Sequence, residues 1–250
     1  MMNIVIPMAG SGSRFVKAGF TVPKPLIPLH GVPMIKVAID NLRPKCEHRF
    51  IFICQRSHVL AHQLTEKLNA WAGEALIISI DGTTEGAACS VLAATEFIDN
   101  DDPLMIANSD QYVDTSIDHY LNHMDHEQLD GLIMTMTASD PKWSFVGLDS
   151  AQLVTQVVEK QVISNEATVG IYNFRRGRDF VYAAEETIKR NLRVNGEFYV
   201  APTYNMLIEQ NKKIGIYNVG RERQGMYGLG IPEDLKYFLS LPISQTAIFA

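Results

Sequence analysis

Cysteine, positive charge and long apolar runs are all scarce in this sequence, and each shortage removes a class of function. The 250 residues carry three cysteines, Cys46, Cys54 and Cys89. Their number is odd and none stands at the short paired spacing of a zinc site or a redox pair, so they are expected as buried thiols in a reducing compartment. Lysine and arginine total 22 against 28 acidic residues, a formal charge of −6, which argues against broad nucleic-acid binding, because that needs a basic face. No apolar run approaches the ~20 residues that span a bilayer, and the amino terminus has neither the basic segment nor the apolar length of a signal peptide. The expectation is a soluble, cytoplasmic protein with neither membrane nor nucleic acid among its partners. The seven histidines form no close metal-ligating cluster. His58 and His62 stand at helical spacing but lack the glutamate that follows the first histidine of a metalloprotease helix. No internal repeat, low-complexity tract or flexible linker is present, which implies one domain over 1–250.

Apolar side chains make up 46% of the chain, enough for a substantial core. Short apolar runs at 4–8, 50–54, 75–80 and 104–107 alternate with helical periodicity at 57–68 and 86–97. Runs apolar on both faces suit a parallel sheet covered by helices, where ligands gather at the carboxyl ends of strands. Past about residue 128, β-rich segments at 131–138, 154–159 and 168–174 imply a mixed sheet with an inserted hairpin. A helix near 178–191, a strand at 213–219 and a helix at 232–239 opened by Pro232 complete the chain. The expected class is α/β: a Rossmann-like mixed, mainly parallel sheet flanked by helices.

The first run empties into Ala9-Gly10-Ser11-Gly12-Ser13-Arg14 and then reaches Pro23-Lys24-Pro25-Leu26. Small residues after a buried strand let backbone N–H groups approach anionic oxygens, and Arg14 and Lys24 add fixed positive charge. The loop completes neither the dinucleotide fingerprint nor a Walker loop, so a plain tight connection is its other reading. The two prolines hold the backbone around Lys24 extended and limit where that lysine can point. Asn108-Ser109-Asp110-Gln111 follows the 104–107 run and delivers Asp110 to the same edge, either as part of a magnesium shell or as a turn aspartate. Downstream, Glu159 and Lys160 form a surface ion pair of little worth. Alternatively, Glu159 accepts hydrogen bonds from ligand hydroxyls and Lys160 neutralises a ligand phosphate, with Gly170 leaving room for the ligand's ring.

In this order and at this spacing, the pieces resemble the sugar-phosphate nucleotidyltransferases, the NDP-sugar pyrophosphorylase family with its GT-A-like fold, from residue 3 to about 239. The matching motifs are the Gly-rich loop ending at Arg14, Pro23-Lys24-Pro25, Asp110, Glu159-Lys160, Gly170-Ile171-Tyr172 and the closing Gly230-Ile231-Pro232-Glu233-Asp234-Leu235. The resemblance implies transfer of a nucleotidyl group from a nucleoside triphosphate to a phosphorylated small molecule, usually a sugar 1-phosphate, with release of pyrophosphate and with Mg2+ as cofactor. It implies a nucleotide-binding half at about 1–127 and an acceptor-binding half at about 128–250. Met8, Ala9, Gly10, Ser11, Gly12, Ser13 and Ser109 would hold the triphosphate, with Arg14 on its β and γ groups, Lys24 on the α region and Asp110 on the metal. Thr84, Glu85 and Gly86 would meet the base, Glu85 reading equally as the first turn of a helix. The small Gly86-Ala87 turn favours CTP or UTP. Lys160 would hold the acceptor phosphate, with Glu159, Gly170, Tyr199 and Tyr204 around it and Trp143 either stacking on the acceptor or packing. Family members carry a second metal aspartate at the position of Gly228, which is absent here: either Asp110 works with phosphate oxygens and water alone, or another acid such as Asp234 or Glu197 approaches the ion, or activity is lost; their usual threonine is replaced by Ile231. The resemblance points to surface polysaccharide precursors and allows a homo-oligomer. A GT-A glycosyltransferase using a nucleotide sugar and a non-catalytic nucleotide-sensing module remain the other readings.

Overall fold

Within the first strand, Met2–Pro7, Ile4 and Ile6 point to one face and Val5 to the other, and all three are fully buried. Strand side chains alternate, so a strand buried on both sides needs apolar residues at every step. Ile4 and Ile6 join Phe50, Phe52, Met105 and Ala107 in one core. Val5 joins Ile51, Ile53, Leu104 and Ile106 in a second core on the opposite face. The computed structural model describes residues 1–249. In it, Met2–Pro7 lies parallel between His48–Gln55 and Leu104–Ala107, and Leu76–Ile80 extends the parallel set past His48–Gln55. Beyond Leu104–Ala107 the order is Glu166–Phe174, Gly131–Thr137, Ile214–Glu222, Gly225–Gly228 and Gln111–Val113. Glu166–Phe174 runs antiparallel to both its neighbours. The architecture is α/β, a Rossmann-like mixed sheet of eleven strands with helices on both faces.

Helices Met34–Leu42, Leu64–Ala72 and Ile117–His126 supply Ile35, Ile39, Leu68 and Tyr120 to the first core. Ala87–Leu92, Gly177–Lys189 and Tyr204–Glu209 supply Val91, Phe180 and Leu207 to the second. Burying each large apolar side chain contributes roughly 1.5–3 kcal/mol. A third cluster packs Phe15, Ile27 and Leu29, from the segment after the Gly-rich loop, against Tyr227, Leu229, Leu235 and Phe238.

The expected hairpin forms from Ser144–Leu148 and Val154–Glu159, and Phe145 pairs with Ala167 to attach it to the sheet. Pro232–Leu239 is helical with proline in its first turn. The single helix expected at 57–68 is instead two, Arg56–His62 and Leu64–Ala72, because Gln63 adopts a left-handed backbone at φ 51°. The 86–97 stretch likewise divides into Ala87–Leu92 and Thr95–Ile98. Met34–Leu42 and Ile117–His126 go beyond the sequence expectation. So does Cys46, which is exposed rather than buried; Cys54 is buried, and burial pushes its thiol up to about 12, while Cys89 is half-buried. Among the described residues no helix is long and apolar enough to cross a membrane.

Candidate active site

Three strands end at one edge of the sheet. Met2–Pro7 leads into the Gly-rich loop, Leu76–Ile80 into the turn before Ala87, and Leu104–Ala107 into Asn108. Gly12, at φ 59°, lets the loop lie against Lys24, whose Cβ would be 3.3 Å from a Cβ at position 12. Gln55 Nε2 donates to the Ala9 carbonyl at 2.7 Å and fixes the strand end. Lys24, in the tight turn Lys24–Leu26, places Nζ 2.6 Å from Asp110 Oδ2, with both side chains 23% exposed. The late Gly-x-Pro block shapes this pair from the other side. Leu229 N donates to the Asp110 carbonyl at 2.8 Å, and a Cβ on Gly230 would lie 2.6 Å from Asp110 Oδ2, so only glycine leaves the carboxylate its place.

A cavity of about 1040 Å³ opens beside the loop, lined by Ala9, Gly10, Ser11, Thr84, Gly86 and Tyr199 among others. Thr84 Oγ1 pairs with Ser90 Oγ at 2.6 Å on its wall. Several expected nucleotide contacts are elsewhere. Met8 has its side chain in the core and its N–H committed to Ile53 at 2.9 Å. Ser109 is buried away from this cavity, Gly12 packs on Lys24, and Ser13 starts the exposed helix Ser13–Lys17. Glu85 turns its carboxylate to Arg193 at 3.1 Å, and its carbonyl accepts from Phe198 N at 2.8 Å. It is a clasp between two segments, not a base contact. A Cβ on Gly86 would stand 2.3 Å from the Phe198 carbonyl, which is why that clasp needs glycine.

A second cavity, about 580 Å³, is lined by Trp143, Ser144, Glu159, Tyr172 and Tyr199. Glu159 and Lys160 form no ion pair with each other. Glu159 is 8% exposed and accepts from Ser144 Oγ; burial holds its carboxyl above the usual range, partly offset by that hydrogen bond and by Lys160. Lys160, at φ 56°, donates through Nζ to Tyr199 OH at 2.6 Å. This bond raises its pKa more than any other influence. Its Nζ is 4.8 Å from the Tyr199 ring centre, and with the hydroxyl so near, the contact is edge-on rather than a cation over the ring face. Three expectations need correction. Gly170 lines the cavity, but the space its missing side chain would take is filled by Asn108 Nδ2 and Gln111 Oε1, 2.1 and 2.8 Å from an ideal Cβ, and not left for a ligand ring. Tyr204 is fully buried and donates to the Asn173 carbonyl at 2.8 Å. Trp143 has Lys142 Nζ over its ring at 4.8 Å, which occupies the face a stacking ligand would use.

A third cavity, about 690 Å³, holds Arg14, Asp110, Gln111, Gly228, Gly230 and Asp234. Asp234 Oδ2 lies 3.8 Å from where a Cβ on Gly228 would stand. Asp110 and Asp234 border one cavity, each paired with a cation, Lys24 at 2.6 Å and Arg223 at 3.0 Å, and no group of three or more possible metal ligands stands among the described residues. Glu197 belongs to the first cavity instead. Asn108, which sequence reasoning passed over as a site residue, lines all three. Asn108 is thus a wall shared by all three cavities, with Asp110 on one and Tyr199 on the other two; Lys24 and Lys160 line none of them and reach this region through their bonds to Asp110 and Tyr199.

The nucleotidyl transferase sequence profile matches residues 4–202. The chain belongs to that family. A nucleoside-diphosphate-sugar pyrophosphorylase from Vibrio cholerae RC9 superposes with a TM-score of 0.79 at 27% identity, over 95% of this chain and all of that one. An inositol-1-phosphate CTP transferase from T. maritima shares the fold, with a TM-score of 0.76 at 14% identity over 99% of this chain and 95% of its own. In sequence, the Bifunctional protein GlmU of Methanococcus aeolicus is 23% identical over 86% of this chain and 49% of its own length. The catalytic subunit beta of mannose-1-phosphate guanylyltransferase from Danio rerio is 26% identical over 69% and 49%. The chain thus spans about half the length of these curated relatives.

Proposed function

We propose that this nucleotidyltransferase moves a nucleotidyl group from CTP or UTP to a sugar 1-phosphate or related phosphorylated metabolite, in the cytoplasm, for surface polysaccharide precursors. The observation that carries the reading is Asn108, a wall common to the loop cavity, the Glu159 cavity and the Arg14–Asp110 cavity. Two polyanions brought to one point need positioning and charge, not a base. A phosphate monoester is already ionised near neutrality, with a second pKa of about 6. Its oxygen forms the new bond to the α-phosphorus, the α–β bond breaks, and pyrophosphate leaves with the electron pair.

In this reading the Gly10–Ser11 backbone receives the triphosphate, and Arg14 meets its outer groups. Lys24, paired with Asp110 in the free protein, would turn to the α-phosphate. Magnesium, when bound, would neutralise and orient phosphate oxygens, held by Asp110 with Asp234 facing the same cavity. Lys160 steadies the acceptor phosphate beside Tyr199, and Glu159 accepts from acceptor hydroxyls. The pyrimidine preference rests on the small Gly86–Ala87 turn beside the loop cavity; a UTP-bound UGPase from Acinetobacter baumannii and the CTP transferase above share the fold.

The reading is tested with four nucleoside triphosphates, assorted phosphorylated acceptors and magnesium. At least one pair should release pyrophosphate, and Lys24→Ala or Asp110→Ala should lower turnover on the order of 100-fold or more. Silence across the panel with nucleotide binding intact by calorimetry would make the chain a sensing module. Release of nucleoside diphosphate from a nucleotide sugar would make it a glycosyltransferase.

A further inference from the structure

Three buried side-chain polar atoms among the described residues have no hydrogen-bond partner: Gln111 Nε2, Trp143 Nε1 and Asn173 Oδ1. Two of the three are donors on residues that line the same cavity, the one bordered by Arg14 and Asp110. A buried donor left without an acceptor costs stability, so two beside one cavity ask for a common explanation.

Gln111 is 5% exposed. Its Oε1 shares the corner above Gly170 with Asn108 Nδ2, so its NH2 end is turned away from that corner. Flipping the carboxamide would set two donors against each other there. Trp143 carries Lys142 over its ring and lines this cavity together with Gln111. The acids nearby are already paired, Asp110 with Lys24 at 2.6 Å and Asp234 with Arg223 at 3.0 Å. Lys142 is paired with Glu222 at 2.7 Å. Arg14 is exposed and belongs to none of the ion pairs among the described residues. What remains is one uncompensated guanidinium and two N–H donors. A hydroxyl could serve them only by bringing a proton that needs its own acceptor. A phosphate or carboxylate group accepts from both, donates nothing and matches the charge.

We infer that Gln111 and Trp143 bind an anionic oxygen group of the phosphorylated acceptor in the cavity beside Asp110. The identity of that acceptor rests on the transfer reading above; the anion site does not. Both donor atoms are closed to bulk water, and Lys142, which lines the same cavity and lies on the Trp143 ring, is exposed.

The chain has two tryptophans, Trp71 and Trp143, so the indole N–H region of a 15N-correlated NMR spectrum holds two signals, assigned with Trp71→Phe. The full chain is titrated with inorganic phosphate, glucose 1-phosphate and glucuronate. The Trp143 signal should move downfield to saturation while that of Trp71 stays. Gln111→Met, which keeps the volume and removes the donor, should weaken the response about 10-fold, and Gln111→Glu should abolish it. A shift with the phosphates alone assigns the pair to the acceptor phosphate and moves that group from Lys160 to this cavity; a shift with glucuronate as well assigns the pair to a carboxylate elsewhere on the acceptor, and either supports the inference. It is overturned if no anion moves the Trp143 signal while calorimetry still records nucleoside triphosphate binding, or if folded Gln111→Met responds like wild type. Anion shifts without nucleotide binding would overturn the transfer reading and leave this one standing.

Discussion

Glu159 and Lys160 are adjacent in the chain, yet their side chains part at the backbone, one into a buried pocket with Ser144 and the other to the Tyr199 hydroxyl. That separation gives the pair a pH signature. Burial keeps Glu159 protonated to higher pH than an ordinary carboxyl, and only its ionised form is a strong acceptor for hydroxyls. The KM for the acceptor should therefore fall as pH rises through the raised pKa, and Glu159→Gln should flatten that profile in a pyrophosphate-release assay. Stability runs the opposite way. The contribution of protonated Glu159 is fully present below the ordinary carboxyl pKa and is lost as pH rises through the folded one, so the variant should lose less stability over that window. At this scale the sequence is uneven. Lys24 and Asp110 are legible because their neighbours, two prolines and an apolar run, fix where they stand. Asn108 and Gln111 are not, since both derive their position from the side chain missing at Gly170, a residue far along the chain. Glu85 misleads because its partner, Arg193, comes from a segment that local pattern cannot bring to it.

Gln63 shows what an element hides. Apolar periodicity runs unbroken through 57–68, but Arg56–His62 has no buried residue while Leu64–Ala72 buries Leu64, Leu68 and Ala72. The left-handed turn at Gln63 swings the second helix onto the sheet, and periodicity alone carries no mark of it. A non-glycine residue in that conformation costs about 1–2 kcal/mol, part of which glycine returns as unfolded-chain entropy. Gln63→Gly is thus expected to raise stability by roughly 0.5–1 kcal/mol in urea denaturation, with pyrophosphate release unchanged. By contrast, Leu104–Ala107, Val154–Glu159 and Pro232–Leu239 stand where the sequence places them, because runs bounded by turn residues, or opened by proline, advertise their own ends.

Across the whole molecule, the α/β class and the hairpin are readable from the alternation of patterns, whereas the strand order past Glu166–Phe174 is set by pairings between distant segments. The third apolar cluster is the main such link. Phe238 packs against Tyr112 and Tyr227, with ring centres 5.6 and 5.4 Å away, and so ties the last long helix to the strands that flank Asp110. Phe238→Ala is expected to cost about 3–5 kcal/mol, read as a lower midpoint in thermal unfolding. Turnover should drop further than the unfolded fraction explains, because Leu229 and Gly230 would no longer be held against Asp110. Asn108, a wall of all three cavities, carries a thermodynamic obligation. Whatever the occupied nucleotide side does to the affinity of the acceptor side through that carboxamide, the acceptor must do to the nucleotide by the same factor. The two substrates are partners in one equilibrium, and a change at this position disturbs both affinities together.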